Sequence, residues 1–294
     1  MTGLTLELLG MQLLTGVALG SIYALLALGL CLIFGMLGVV NFAHGAFFMV
    51  GAFLGVYFLG LTGNFFFSLL MVPIVTGGIG LVTERFLIRP LYGRGIDYPL
   101  LLTFGLSYVL IEVMRVTFGI EGLPSITPDS LKGSMNVGIG YFPKYRIFLI
   151  VMTALIILGI WFFIQKTRYG LIIKAGSRDP EIVKVLGVDV AKVWLLVFGI
   201  GTAIAGLSGI LASPTRSVNP EMGIPILAES FVVTVVGGMG SPIGAVVAGL
   251  LVGVVYSLTS LFAPALAELS IFVLMAVVLL IRPQGLFGKS GFMS

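Results

Sequence analysis

The stretch ILAESFVVTVVGGMGSPIGAVVAGLLVGVVYSLT, residues 226–259, decides how this chain is built. Taken as one helix, it crosses a bilayer once. Broken at Gly237-Gly238-Met239-Gly240-Ser241-Pro242, it becomes a short helix running one way and a full crossing, 243–259, running back. The choice rests on parity, that is, on which side of a membrane the chain stands before and after the stretch, so the rest of the sequence has to be read first.

A bilayer is implied by composition. Of 294 residues, 59% are hydrophobic and 10% charged, and the mean hydropathy of +1.18 is far above that of soluble domains. Such a chain needs lipid as its solvent and partner. Its 41 glycines fall mostly inside apolar runs, as in packed transmembrane helices. No Lys or Arg precedes Arg85, so the amino terminus lacks the positive region of a secretory signal, and the first apolar run is expected to belong to the mature protein. The one cysteine, Cys31, supports neither an internal disulfide nor a metal site. The net charge of +4 comes from basic residues in the gaps between apolar runs, which reads as membrane orientation and not as nucleic-acid binding.

Runs long enough to cross about 30 Å of hydrocarbon occupy 11–34, 65–83, 98–118, 147–164 and 193–213. Shorter or interrupted runs occupy 46–61, flank the 237–242 break and end at 266–281. One gap carries Arg85, Arg89 and Arg94, and another carries Lys166, Arg168, Lys174, Arg178, Lys184 and Lys192, which places both in the cytoplasm. The two crossings between them leave 119–146 outside. Arg282 and Lys289 place the carboxyl end inside, and that is reached only if 226–259 is broken at 237–242. Irregular backbone at that depth must be buried in protein or line a cavity. The expected fold is therefore all-α: one polytopic transmembrane bundle spanning 1–294, with about eight or nine crossings and two glycine-interrupted segments.

Small residues recur at every fourth position at Gly16, Gly20 and Ala24, at Gly201, Ala205 and Gly209, and at Ala245, Gly249 and Gly253. Such stripes let helix backbones approach closely, and they are read as packing surfaces. Ionisable groups inside the runs are few, chiefly His44, Glu112, Arg115 and Glu229. Proton-coupled carriers need acidic or histidine relays, and voltage sensors need arginine series. Neither pattern occurs, so the driving energy is expected from a partner. Glu112 and Arg115, three apart on one helix, read as a structural ion pair near its outer end.

The two interruptions are the candidate substrate passage, because transporters place binding beside broken helices. At the first lie Asn41, His44 and Gly45; at the second, Gly237 and Gly238, preceded by Glu229 and Thr234 on the short helix. For His44, satisfying backbone at the break competes with substrate contact; for Glu229 and Thr234, polar packing competes with lining the passage. No nucleophile and base, and no cluster of metal ligands, is arranged for catalysis, so neither an enzyme nor a metal cofactor is expected.

Residues 165–192 are no ordinary loop. Asp179 is a good helix cap, Pro180 suits a first helical position, Ile182, Val183, Val185 and Leu186 form an apolar side, and Gly187 supplies a stop. Mixed charges at Arg178, Asp179, Glu181 and Lys184 favour a protein partner over a basic lipid anchor. No phosphate-binding loop of the Walker type occurs, so any ATP must be hydrolysed by another subunit. A passive channel is the rival reading, and the structured cytoplasmic helix argues against it.

Gly20-Ser21-Ile22-Tyr23-Ala24-Leu25 and Val40-Asn41-Phe42-Ala43-His44-Gly45 together resemble the LivH-type permease of branched-chain amino acid ABC importers. Arg89-Pro90-Leu91, the 169–188 segment, the 237–245 segment and Arg282-Pro283-Gln284-Gly285-Leu286-Phe287-Gly288 extend the resemblance over nearly the whole chain. One departure is Ala46, where many relatives carry an acidic residue. The resemblance implies a type II-like importer permease in the cell inner membrane. It implies as partners a second, homologous permease, two cytoplasmic ATPase subunits and a periplasmic substrate-binding protein. It also implies that 165–192 is the ATPase docking element. Related permeases serve urea and short-chain amides, the alternative cargo.

Overall fold

The computed structural model of the chain describes residues 6–124, 127–177 and 180–288, with the backbone alone at Pro180 and Glu181. Its elements are α1 (Leu6–Leu37), α2 (His44–Thr62), α3 (Phe65–Thr83), α4 (Asp97–Phe118), the short antiparallel strands β1 (Ser134–Asn136) and β2 (Tyr141–Pro143), α5 (Lys144–Lys166), α6 (Arg168–Gly176), α7 (Pro180–Val185), α8 (Val190–Ala212), α9 (Gly223–Gly237), α10 (Pro242–Phe262) and α11 (Ala267–Ile281). Eight helical segments among the described residues are long and apolar enough to span a membrane. The 15-residue α9, about 22 Å long at 1.5 Å per residue, falls short of the roughly 30 Å core.

The expected break is present where the sequence placed it, with α9 ending at Gly237 and α10 beginning at Pro242. Ser241 caps α10 by accepting a hydrogen bond from Gly244 N at 3.2 Å, and Pro242 follows at a position that needs no amide donor. The α2–α3 turn is equally local. Gly63 closes α2, and Asn64 Oδ1 accepts from Phe66 N and Phe67 N at 2.9 and 3.2 Å. α1 extends beyond the expected 11–34 at both ends.

Two compact units interleave along the chain. One comprises Met1–Ala27, Thr127–Ile156 and Glu229–Ser294; the other comprises Leu28–Ile126 and Ile157–Ala228. Within the first, two of the small-residue stripes are each other's partners. A methyl on Gly20 would lie 2.8 Å from Gly249 O, and one on Gly253 would lie 2.3 Å from the Gly20 Cα, so α1 and α10 touch along their backbones.

Within the second unit, α8 packs against both α2 and α3. Gly206 faces Gly51 of α2 and Thr76 of α3, and Gly80 of α3 faces Thr202. Buried hydroxyls bond to their own helices, Thr76 to Val72 O, Thr202 to Phe198 O and Ser208 to Ile204 O, at 2.8–3.0 Å. Such back-bonding satisfies a polar group where water is absent. Cys31 is buried in α1.

Contacts in this second unit also sort the loops by side. Leu123 pairs with Val218, joining the segment after α4 to that after α8. At the opposite ends of those two helices, the segment after α3 meets the start of α8 through Arg89 and Ala191 O. The two basic gaps therefore share one end of the unit.

Candidate functional site

At the first interruption, Asn41 and His44 are both fully buried. Asn41 Oδ1 accepts from Ala43 N at 3.1 Å and Asn41 O accepts from His44 N at 3.2 Å, so the asparagine shapes the turn that leads into α2. Thr103 of α4, which sequence reasoning missed, props the same turn by accepting from Phe42 N at 3.1 Å. His44 is the first residue of α2 and not part of the irregular segment. Its ring lies beside Gly29 of α1, where a methyl would meet Nε2 at 3.3 Å. Gly45 meets Gly223, the first residue of α9, so closely that a methyl would stand 2.1 Å from its carbonyl oxygen.

The second interruption lies in the other unit. Thr234 is buried and its hydroxyl donates to Ser230 O at 2.8 Å; Glu229 is half-buried on the same helix. Gly237 and Gly238 end α9, and the chain's tail closes over them. Leu286 N donates to Val236 O at 2.8 Å and Phe287 N donates to Gly237 O at 3.0 Å. These bonds occupy carbonyls that a helix end leaves without partners. Gly238, at φ +99°, and Gly285, at φ +77°, adopt backbone that other residues resist; a methyl on Gly285 would meet Gly238 N at 2.6 Å, and one on Gly238 would meet Gly288 N at 2.4 Å.

α7 begins at Pro180, as expected, and Gly187 at φ +81° stops it, with Gly187 N donating to Lys184 O at 2.9 Å. Arg178, Asp179 and the side chain of Glu181 lie outside the described residues. Val183 is buried, whereas Ile182, Val185 and Leu186 are 60, 88 and 74% exposed. Lys184 is exposed beside them. α6 is turned back on the end of α5: Thr167 caps it, and Gly170 lies against Ile164 O.

The sequence reading is corrected at Glu84. The third apolar segment does not end with α3 but continues through a π-helical turn, Glu84–Ile88, and a 3-10 turn, Arg89–Leu91. Glu84 is thereby drawn into the protein and is the one fully buried carboxylate among the described residues whose side chains are placed. Arg89 donates from Nε and Nη2 to its two oxygens at 3.2 and 2.9 Å, and Tyr92 donates its hydroxyl at 3.0 Å. In an α-helix, residues five apart point about 140° away from each other. The π-turn's i to i+5 pattern brings them together. Burial, then the neighbouring Glu84 charge, push the Tyr92 hydroxyl well above its usual range, so it stays a donor.

The expected Glu112–Arg115 pair is formed, and Arg115 also reaches Glu221 at 2.8 Å, fastening α4 to the segment before α9. A pocket of about 140 Å³ lies among Leu32, Ile160, Phe163, Ile173, Val197 and Ile200. With no charged or hydrogen-bonding side chain in its wall, it offers nothing to hold an ammonium or a carboxylate. Among the described residues no group of three or more His, Cys, Asp or Glu is placed to hold a metal.

A multi-pass helical membrane protein with two broken segments and a structured polar-end insertion has the architecture of a transport permease. The model of the family "Branched-chain amino acid transport system / permease component" matches residues 12–282, and the chain belongs to that family. It is 32% identical over 295 residues to the high-affinity branched-chain amino acid transport system permease protein BraD of Pseudomonas aeruginosa, covering 95% of each chain. It is 29% identical over 303 residues to the LivH permease protein of the corresponding system of Escherichia coli K12, again covering 95% of each. Among solved structures, PsaBC from Streptococcus pneumoniae in complex with Fab shares the fold at a TM-score of 0.50 and 18% identity, over 95% of this chain and 91% of that one.

Proposed function

We propose that this permease is one transmembrane half of an ATP-driven importer of the inner membrane, passing branched-chain amino acids received from an external binding protein. The other half is a second, homologous permease, and two cytoplasmic ATPase subunits dock on 165–192. ATP is hydrolysed by those subunits and not by this chain.

One observation carries the docking assignment: the exposed side of α7 and its C-terminal turn, where Ile182, Val185 and Leu186 are exposed while Val183 anchors the helix. Exposed apolar side chains beside a charged one are what a partner's groove takes up. The segment shares its end of the unit with the arginine-bearing gap after α3, and the positive-inside rule puts that end in the cytoplasm. α9 then runs inward as a half-crossing, α10 outward and α11 inward again, so the carboxyl end is cytoplasmic as well. Cargo follows the relatives, which are branched-chain amino acid transport permeases. Asn41, His44 and Gly45 in one unit, and Glu229, Thr234, Gly237 and Gly238 in the other, remain proposed, each group by itself, as lining a passage. Its shortage of polar groups suits a conduit that leaves selectivity to the binding protein.

Uptake of labelled leucine by a strain lacking its own branched-chain importer, restored by this system, tests the cargo. Competition by isoleucine and valine is expected, and none by urea; competition by urea alone would assign the amide reading instead. Replacing Gly187 with Val should abolish uptake, whereas a passive channel would keep its flux.

A further inference from the structure

We propose that Glu84, Arg89 and Tyr92 form the joint through which movement of the cytoplasmic segment reaches the transmembrane helices. The proposal rests on the docking reading of 165–192 and adds the residues that carry force inward from it.

The first ground is position. Arg89 Nη2, besides holding Glu84, donates to Ala191 O at 3.0 Å. Ala191 is the second residue of α8, and only the short link after α7 separates it from the docking helix. Any displacement of α7 arrives at this point of the chain.

The second ground is the pattern of contact on α8. Arg89 holds Ala191, the Tyr92 ring meets Trp194 edge-on at 4.6 Å between centroids, and Ile88 packs with Phe198. Positions 191, 194 and 198 are spaced by three and four and so lie along one face of a helix. The segment 84–92 therefore grips the first nine residues of α8, Val190 to Phe198, from one side. Beyond that grip, α8 runs on between α2 and α3, touching Gly51 and Thr76 at Gly206.

Stiffness is the third ground. A single hydrogen bond is a pivot, but here both carboxylate oxygens are engaged, by a planar two-point guanidinium fork and by a phenol. Burying a carboxylate is costly, and an apolar residue of like volume often replaces a buried ion pair without loss of stability. π-turns are uncommon and concentrate at functional sites. Simple closure of α3 would need neither. A fixed link between α3 and the root of α8 is what this arrangement supplies, and Arg89 is a positioning residue within it.

The test uses the complete complex of this chain with its permease partner and ATPase subunits, reconstituted in liposomes with binding protein and labelled leucine. Lysine at position 89 keeps the positive charge but has one ammonium in place of the fork. Arg89→Lys is expected to assemble, to hydrolyse ATP within twofold of wild type, and to take up at least tenfold less leucine per ATP. An unchanged ratio overturns the joint. Should Arg89→Lys not assemble, Tyr92→Phe, which deletes a hydroxyl and no charge, is read in the same way, with a fall of about threefold expected.

A readout independent of cargo is the ATP-induced change in maleimide labelling of Leu81→Cys, at the α3–α8 contact, in a Cys31→Ala background. That change should be present with Arg89 and absent with Arg89→Lys; equal behaviour overturns the proposal even where leucine is not carried. The docking reading fails separately, if Ile182→Glu still retains the ATPase subunits.

Discussion

Gly51 of α2 and Gly206 of α8 meet backbone to backbone: a methyl on Gly51 would stand 2.2 Å from the Gly206 carbonyl oxygen and 2.3 Å from its Cα. Neither neighbour is the end of a flexible side chain, so nothing can yield locally. Gly51→Ala is expected to destabilise the protein by about 3 kcal/mol, the upper part of the overpacking range. Gly78→Ala in α3, where a methyl meets nothing within 4 Å, should lie within about 1 kcal/mol of wild type. Thermal unfolding in detergent distinguishes them, and equal melting temperatures would show that the α2–α8 contact is looser than described.

The closure of the tail over α9 predicts coupling. Gly238→Ala and Gly285→Ala each force a side chain into left-handed backbone at one interface, and each should cost about 1–3 kcal/mol. Because both open the same joint, the double variant should lose clearly less than the sum. Additive losses in a double-mutant cycle would mean that the two glycines act independently.

Val183 and Leu186 should separate stability from association. Val183 is buried and Leu186 is 74% exposed. Val183→Ala should cost about 1–2 kcal/mol by the cavity it leaves. Leu186→Ala should stay within about 0.5 kcal/mol while weakening retention of the ATPase subunits on affinity purification. Reversed effects would relocate the docking surface.

Arg115 lies between Glu112 and Glu221, all partly exposed. Exposed ion pairs contribute about 0–1 kcal/mol, so Arg115→Gln should lower stability by no more than that and leave leucine uptake within twofold of wild type. A tenfold loss of uptake would give this chain of charges a part in transport.

Asp189, the cap of α8, accepts from Lys192 N at 3.3 Å and pairs with its ammonium at 3.2 Å; that hydrogen-bonded lysine holds the carboxyl below its usual range. A carboxyl depressed on folding stabilises above its unfolded pKa and loses that contribution as pH falls through the folded value. The melting-temperature gap between wild type and Asp189→Ala should therefore be present at neutral pH and shrink in acid. A gap constant with pH would assign the effect to helix propensity alone.

Much of this structure is legible in the sequence. The bilayer demands long apolar runs and tolerates breaks only where glycine, serine and proline supply turn chemistry, so the start of the third run at Phe65 and the 237–242 break are legible to the residue. The stripes at Gly16 and Gly249 were legible as packing surfaces because small residues at every fourth position have few other uses in lipid. That they pack on each other is a tertiary fact no local pattern carries.

Glu84 and Thr103 were illegible for different reasons. Glu84 and Arg89 are five apart, a spacing that α-helical reasoning places on different faces, and only the π-turn unites them. Thr103 looks like any hydroxyl in an apolar run until the fold sets it beside Phe42 N.

The meeting of Gly20 with Gly249 has a consequence for biosynthesis. The two positions are 229 residues apart by their numbers, and at about 5–20 residues per second roughly 10–50 s of translation separates their emergence from the ribosome. Through that interval the slender side of α1 waits without its mate. Nascent chains stalled before α10 would present it to whatever insertion factor or neighbouring polypeptide is at hand.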